Sequence, residues 1–291
     1  TKYYGKTIQE IEHVNDRVDI LMHSNNQVSI ANAIGLGVIK FSELFIKRNL
    51  DAIFLTGDRF EMMGAAIAGH CLNIPMIHAY GGEVTHGSQD DGWRNAMTML
   101  AQYHMTAHEQ YSEKVRAMKP DEKNQVWTVG SLSVDNIKET KCYELGDLAK
   151  RFHARMDKFR LVTYHPDTTR TRDENISDFQ QLLHAIDARN DAEYIFIFAN
   201  QDSTGTEFNR MIMEFKGPRE NVKYIRHAGV VLYLSLVKHA QMVIGNSSSG
   251  ISEAPYFGTP TVNIGRRQSG RIMATSVITV LNTTGKWIAE M

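Results

Sequence analysis

Two cysteines, Cys71 and Cys142, are all that the 291 residues contain, and their spacing fits neither a zinc-ligand pattern nor a disulfide framework. A fold stapled by metal or by disulfides is thereby excluded. Both are expected as reduced thiols of a cytoplasmic protein, with Cys71 in an apolar helical run and hence in the core. An excess of one charge is lacking too: 32 Lys and Arg stand against 33 Asp and Glu, with a net charge of −1 and a pI of 6.8, which argues against a general nucleic-acid binder. No apolar stretch approaches the roughly 18 residues that a membrane span needs, and no secretory leader opens the chain. Internal repeats and low-complexity segments are missing. So are a first methionine and an opening strand: the initial TKYYGKTIQEIEHV reads like the middle of something.

What is present suits a packed core. Hydrophobic residues make up 42% and charged residues 22%, enough for one large domain or two ordinary ones. Asn25 to Arg48 carries apolar residues at helical spacing. Short apolar runs then alternate with helical segments. AIFLT (52–56) ends in Gly57-Asp58-Arg59, and Ile74 to Tyr80 ends in Gly81-Gly82-Glu83. Further strands are expected over Tyr103 to Ala107 and Val126 to Val129. After a charged helical stretch between Asp135 and Phe159, read as the connection between domains, the alternation resumes. Arg160 to Tyr164 runs into His165-Pro166, and YIFIFA into Asn200. This is the pattern of two doubly wound α/β domains, 1–140 and 141–291, with ligands expected beyond the carboxyl ends of the strands.

Chemistry concentrates at those ends. Asp58, Glu83 and the Asp90-Asp91 pair supply carboxylates at adjacent strand or helix starts. Carboxylates brought together raise one another's pKa, so that one holds a proton while another accepts one, which suits acid–base work on a sugar. The plain alternatives are a turn for Asp58 and helix capping for Asp90 or Asp91. The glycines before Glu83 bring its carboxyl close to a ligand. His165, held extended by the following proline, is a candidate for catalysis or phosphate contact. In Ile244 to Arg271, IGNSSSGISEAPYFGTPTVNIGRRQSGR, strand, serine-rich turn, short helix and strand follow one another. The helix start and the hydroxyls of the serine turn, Ser247 and Ser248 among them, suit a phosphate, Glu253 a ribose, and Arg266, Arg267 and Arg271 can supply cations. An ordinary serine-capped helix is the alternative.

The segments GDRFEMMGAAIA, IHAYGGEVTHGSQDDGWRNA, VTYHP, FANQD and GNSSSGISEAPYFGTPTVNIGRRQSGR, in this order and spacing, resemble the hydrolysing UDP-N-acetylglucosamine 2-epimerases. The resemblance covers essentially the whole chain. It implies GT-B architecture, two Rossmann-like domains facing a cleft with UDP held mainly by the second. It also implies loss of UDP from C1 with removal of the C2 proton, then addition of water to release N-acetylmannosamine, without metal or nicotinamide. By motif position, Asp58 and Glu83 match the acid–base pair, Asp90 or Asp91 a third acid, and His165 the functional histidine. Ser247 and Ser248 match the diphosphate cradle, Glu253 the ribose contact, Arg267 a nucleotide-site arginine, and Asn200 a uracil or ribose neighbour. A homo-oligomer, dimer or tetramer, is expected, with a UDP-sugar as ligand and neither nucleic acid nor membrane as partner.

Three departures from the family pattern stand out. The family's first strand with its TGTRAE-like turn and its final helices have no counterpart here, and Asn95 stands where relatives usually have histidine. From the first two follows an expectation of weak stability and low activity for the chain as written. From the third follows a choice of sugar between N-acetylglucosamine and a diacetamido-trideoxy sugar of legionaminic type. Readings kept beside the leading one are a non-hydrolysing 2-epimerase, a GT-B glycosyltransferase, and a nucleotide-binding remnant.

Overall fold

The computed structural model describes residues 13–20, 27–85, 90–153, 156–189, 192–199 and 204–281. Asn200 lies outside them. By contact density the described residues fall into an amino-terminal unit, 13–85 with 90–132, and a carboxy-terminal unit, 133–281.

In the amino-terminal unit, α1 (Gln27–Arg48), β1 (Ile53–Leu55), α2 (Phe60–Cys71), β2 (Met76–Ala79), α3 (Asp90–Leu100), β3 (Tyr103–Thr106), α4 (Glu109–Met118) and β4 (Val126–Thr128) follow one another. The strands form a parallel sheet in the order β1-β2-β3-β4. On one face Leu55 and Met76 pack with Phe45, Met63, Ala66 and Met97. On the other, Phe54, Tyr103 and Trp127 are exposed. Register puts these three on the same side: Phe54 lies opposite Ile77, Ile77 opposite Tyr103, and Met105 opposite Trp127. AIFLT, an apolar run of the kind expected in a buried parallel strand, thus forms a strand that leaves Phe54 exposed.

Two further expectations change here. Cys71 is exposed, not in the core. It is the last residue of α2, beyond the small residues Gly64, Ala65, Ala66 and Ala68 that face inward. And α1, 22 residues with an 18-residue stretch of mean hydropathy 1.4, is long and apolar enough to cross a membrane by length and composition. Gly37 of α1 packs on Gly64 of α2: a Cβ on Gly64 would stand 3.0 Å from the Cα of Gly37, so the two glycines let the helices approach this closely.

The carboxy-terminal unit runs α5 (Leu132–Glu139), α6 (Leu145–Phe152), β5 (Phe159–Thr163), α7 (Arg172–Asp187), β6 (Glu193–Ile197), α8 (Gly205–Lys216), β7 (Val222–Ile225), α9 (Gly229–His239), β8 (Met242–Gly245), α10 (Ser249–Ser252), β9 (Thr261–Ile264) and β10 (Val277–Val280). Its sheet is parallel, ordered β10-β9-β8-β5-β6-β7. Both faces are covered. Val162, Tyr194, Phe196 and Ile244 pack under Phe179 and Phe208 of α7 and α8. Leu161, Ile195 and Val243 pack against Leu148, Leu236 and Val237 on the opposite side. Leu148 and Met156 thus belong to this core, although sequence marks 135–159 as a connection. The strand order reverses between β5 and β8, and ligands of doubly wound sheets bind at such a switch point. His165 and Asn246 stand just beyond the ends of those two strands.

Candidate functional site

Each unit gathers one set of polar side chains at the carboxyl ends of its strands. In the amino-terminal unit, Gly57 turns the chain at φ 92° directly after β1 and delivers Asp58. After β2, Tyr80 at φ 67° and Gly82 at φ 81° bend the chain toward Glu83. A Cβ on Gly82 would lie 2.3 Å from the carbonyl oxygen of Tyr111, so this turn accepts glycine alone. Helix α3 then presents Asp91, Arg94 and Thr98 at i, i+3 and i+7, one face of a helix.

Arg94, which the sequence reading passed over, is the centre of this set. Its side chain is only 1% exposed. It donates to the carboxylates of both Asp58 and Asp91, to the carbonyl of Glu83 at 3.0 Å and to the Thr85 hydroxyl at 3.2 Å. Asp91 also accepts from the Thr85 N–H at 2.7 Å. Burial works against the guanidinium's charge. Asp58 and Asp91, with Glu83 contributing at longer range, outweigh it and hold its pKa above the ordinary value. A set of mutually repelling carboxylates is thus corrected to carboxylates bridged by a buried cation. Asp91, read as a possible helix cap, turns to Thr85 and Arg94. Asp90 opens α3 half-buried.

Behind this layer, the Thr98 hydroxyl donates to the Arg94 carbonyl at 3.0 Å and stands 3.2 Å from Nδ1 of buried His78. Burial, with neighbouring His104 and Arg94, lowers the His78 pKa to about 4. A neutral imidazole therefore backs the arginine at neutral pH.

In the carboxy-terminal unit, Gly245 ends β8 at φ 142°, and a Cβ there would stand 1.9 Å from the Thr163 carbonyl oxygen. That close approach brings Asn246 alongside His165. The Asn246 amide spans the histidine's backbone: Oδ1 accepts from its N–H and Nδ2 donates to its carbonyl, both at 2.7 Å. The Asn246 carbonyl accepts from Gln268 at 2.8 Å and from Arg267 at 3.2 Å. One buried residue therefore ties His165, by its side-chain amide, and the Arg267 loop, by its backbone carbonyl, together. Burial first, and the Arg267 charge second, lower the His165 pKa to about 3. Its imidazole is neutral at pH 7, available as an acceptor or a hydrogen-bond donor but not as a cation.

The serine turn differs in one respect from its expected form. The helix after it is a single turn, α10, followed by a 3-10 turn, Ala254–Phe257, with Pro255 near its start. Four residues sum to a weak dipole, so hydroxyls and Arg267 dominate the polarity here. Ser248 is exposed, Ser247 half-buried and Ser249 buried. The Ser249 hydroxyl meets that of Tyr233, and burial pushes the pKa of the neighbouring Glu253 carboxyl up, with Ser249 opposing the rise. Asn246 and Ser249 are further residues missed from sequence. The signal for Asn246 was its place as the first polar side chain after the buried β8.

Two parallel α/β units, one with carboxylates about an arginine and one with a hydroxyl-lined turn at a switch point, are those of the GT-B fold class. The UDP-N-acetylglucosamine 2-epimerase family model matches residues 1–290, and the chain belongs to that family. It is 34% identical to a Campylobacter jejuni GDP/UDP-N,N'-diacetylbacillosamine 2-epimerase (hydrolyzing), over 94% of this chain and 72% of the relative. With the Escherichia coli polysialic acid biosynthesis protein P7 it shares 31% identity, over 95% of this chain and 71% of that protein. Among solved structures, the Methanocaldococcus jannaschii UDP-GlcNAc 2-epimerase in complex with UDP-GlcNAc and UDP superposes with a TM-score of 0.74 at 18% identity. That match covers 91% of this chain and 74% of the archaeal one, and it shows the fold.

Proposed function

We propose that the protein is a hydrolysing 2-epimerase acting on a UDP-linked 2-acetamido sugar. The observation that carries this reading is the set of Asp58, Glu83 and Asp91 assembled about the buried guanidinium of Arg94, in a chain whose family match runs along its whole length. Arg94 binds both aspartates by their carboxylates but Glu83 by its backbone. The guanidinium holds the carboxylates of Asp58 and Asp91 in fixed directions, as a group that removes a proton from C2 must be held. Glu83, which meets Arg94 through its backbone carbonyl, suits the partner that exchanges a proton with the other face of the sugar. Ser247, Ser248 and Arg267 suit the diphosphate, which leaves from C1 as UDP with the C1–O electron pair while the C2 proton departs. Water then adds across the resulting C1–C2 double bond and restores a proton at C2 with inverted configuration. His165 and Glu253 complete the nucleotide half-site, and Asn200, by motif position, is assigned to it as well.

Between the two sugars, the relative at 34% identity favours the diacetamido-trideoxy substrate, while the motif resemblance favours UDP-N-acetylglucosamine. Incubation with each sugar nucleotide in deuterated water separates them. Release of UDP together with a free 2-epimeric sugar carrying deuterium at C2 is expected from one of the two. If neither yields UDP or incorporates deuterium, the reading fails. If deuterium enters while UDP stays attached, the enzyme is a non-hydrolysing 2-epimerase.

A further inference from the structure

We infer that Asn175 is a positioning residue for His165: from one turn into α7 its buried amide pins the backbone of Asp167, so that the segment His165-Pro166-Asp167 is clamped at both ends and the histidine is held in place for a ligand. This rests on the reading of His165 as part of the nucleotide half-site.

The segment leaves β5 where the strand order of the sheet reverses, and α7 supplies a fixed frame on its far side. Thr171 opens that helix with a capping box. Its hydroxyl accepts from the Glu174 N–H at 3.4 Å, and its own N–H donates to the Glu174 carboxylate at 2.9 Å. Side chains of a helix lean toward its amino terminus, so Asn175, the next residue, reaches back over the first turn. Asparagine is a poor helix former, and a buried amide is costly unless its groups are paired. Asn175 is 4% exposed, and both ends of its amide are used. Oδ1 accepts from the Asp167 N–H at 2.8 Å, while Nδ2 donates to the Asp167 carbonyl at 2.9 Å and to that of Thr171 at 3.0 Å.

Asn246 treats His165 in the same way from the end of β8. The two clasps come from different elements and fall one on each side of Pro166, whose ring fixes φ and which has no N–H to satisfy. Asp167 adds a tie forward, its Oδ1 accepting from the N–H and the hydroxyl of Thr169 at 2.9 and 2.6 Å. A segment held at 165 and at 167, with a proline between, has little conformational freedom left to lose when a ligand arrives, and such preorganisation raises affinity. Asn246 alone would leave the chain free to pivot beyond Pro166. Asn175 removes that freedom.

Asn175→Ala deletes the clasp and leaves a better helix former in α7. UDP binding is measured by titration calorimetry at a temperature where circular dichroism shows the variant folded, beside steady-state kinetics on the accepted sugar nucleotide. UDP affinity is expected to fall by about tenfold and KM to rise to match, with kcat within about twofold of the parent. On a His165→Ala background the same substitution is expected to change UDP affinity by less than about twofold, because the side chain that the clasp positions has gone. Parent-like UDP affinity in Asn175→Ala overturns the inference. So does an undiminished loss on the His165→Ala background, which would make the clasp a general prop of the fold. Should Asn175→Ala not fold, Pro166→Ala tests the same clamp by returning an N–H and freedom in φ between the two clasps. There a several-fold loss of UDP affinity is expected, and parent-like binding would be equally fatal. If His165→Ala alone binds UDP like the parent, the place of His165 in the half-site fails and the inference with it. That result is read from a single variant, and is distinct from a cycle in which His165 matters but Asn175 does not act through it.

Discussion

The two sheets are both parallel and built of strands of three to five residues, yet they use their side chains differently. All five residues of β5 are buried, and the carboxy-terminal sheet has a core on each face. The amino-terminal sheet has a core on one face and leaves Phe54, Tyr103 and Trp127 in solvent on the other. Parallel sheets are ordinarily covered twice, so sheet type alone does not tell how much each residue stabilises. The polar sites follow the same division. In the carboxy-terminal unit the site is fixed by a neutral amide, Asn246, clasping backbone. In the amino-terminal unit it is fixed by a charge, Arg94.

The largest expected effect tests the cores. Phe196 is 1% exposed beneath Phe179 and Phe208, and Phe196→Ala is expected to destabilise the carboxy-terminal unit by about 3–5 kcal/mol. Phe54, with 47% exposure, is a residue of the same type on a strand of the same kind, and Phe54→Ala should stay within about 0.5 kcal/mol. Urea unfolding followed by tryptophan fluorescence and circular dichroism compares them. Equal losses would mean that the exposed face of the amino-terminal sheet is covered in solution.

The next effect sharpens the contrast between charge and amide. Arg94→Met leaves Asp58 and Asp91 facing each other without their cation. The expected loss is about 3 kcal/mol, the low end for a broken buried pair, because the two carboxylates keep 26% and 27% of their surface in water. Turnover should fall by orders of magnitude while UDP affinity is unchanged. Asn246→Ala strips partners from the His165 backbone and should cost about 2 kcal/mol, but there UDP affinity is what falls. A loss of UDP affinity in Arg94→Met would show that the two sets of residues do not divide the work in this way.

These contrasts also mark what could be read from sequence. The α/β alternation was legible because short apolar runs ending in Gly-Asp, Gly-Gly-Glu and Gly-Asn-Ser report strand ends whichever unit they belong to. Asp58, Glu83 and the serine turn were legible for the same reason: loop residues after a buried strand have little to do but meet solvent or ligand. Arg94 was not, since an arginine inside a helix looks like a solvated surface residue until folding shows what surrounds it. Asn246 was hidden within a run of hydroxyl residues that drew attention to themselves. Cys71 and Phe54 failed for a complementary reason. Each sits in an apolar stretch, and apolar character alone does not say which face a neighbouring element covers. The joining segment failed likewise: Leu148 and Met156 stand among charges, and only tertiary packing assigns them to a core.

The smallest effect is a pH slope to which each unit contributes one histidine. His78 has its pKa lowered from 6.5 to about 4, and His165 from 6.5 to about 3, both chiefly by burial. Because the folded values are depressed, the unfolded chain binds more protons below pH 6.5. The stability tied to the neutral imidazoles is therefore fully present above that pH and is lost as pH falls toward the folded values. Each histidine contributes a slope of up to about 1.4 kcal/mol per pH unit. Between pH 6.5 and 5 the buried Glu253 carboxyl, its pKa raised by burial, can titrate as well, so the histidine is isolated by comparing two curves that share it. Urea midpoints measured across it should decline in the parent and decline less steeply in His78→Gln, which keeps a side chain able to bond Thr98. Below about pH 4 the His78 contribution is exhausted while that of His165 continues toward pH 3. A His78→Gln curve parallel to the parent between pH 6.5 and 5 would show that the imidazole behind Arg94 takes up its proton without resistance.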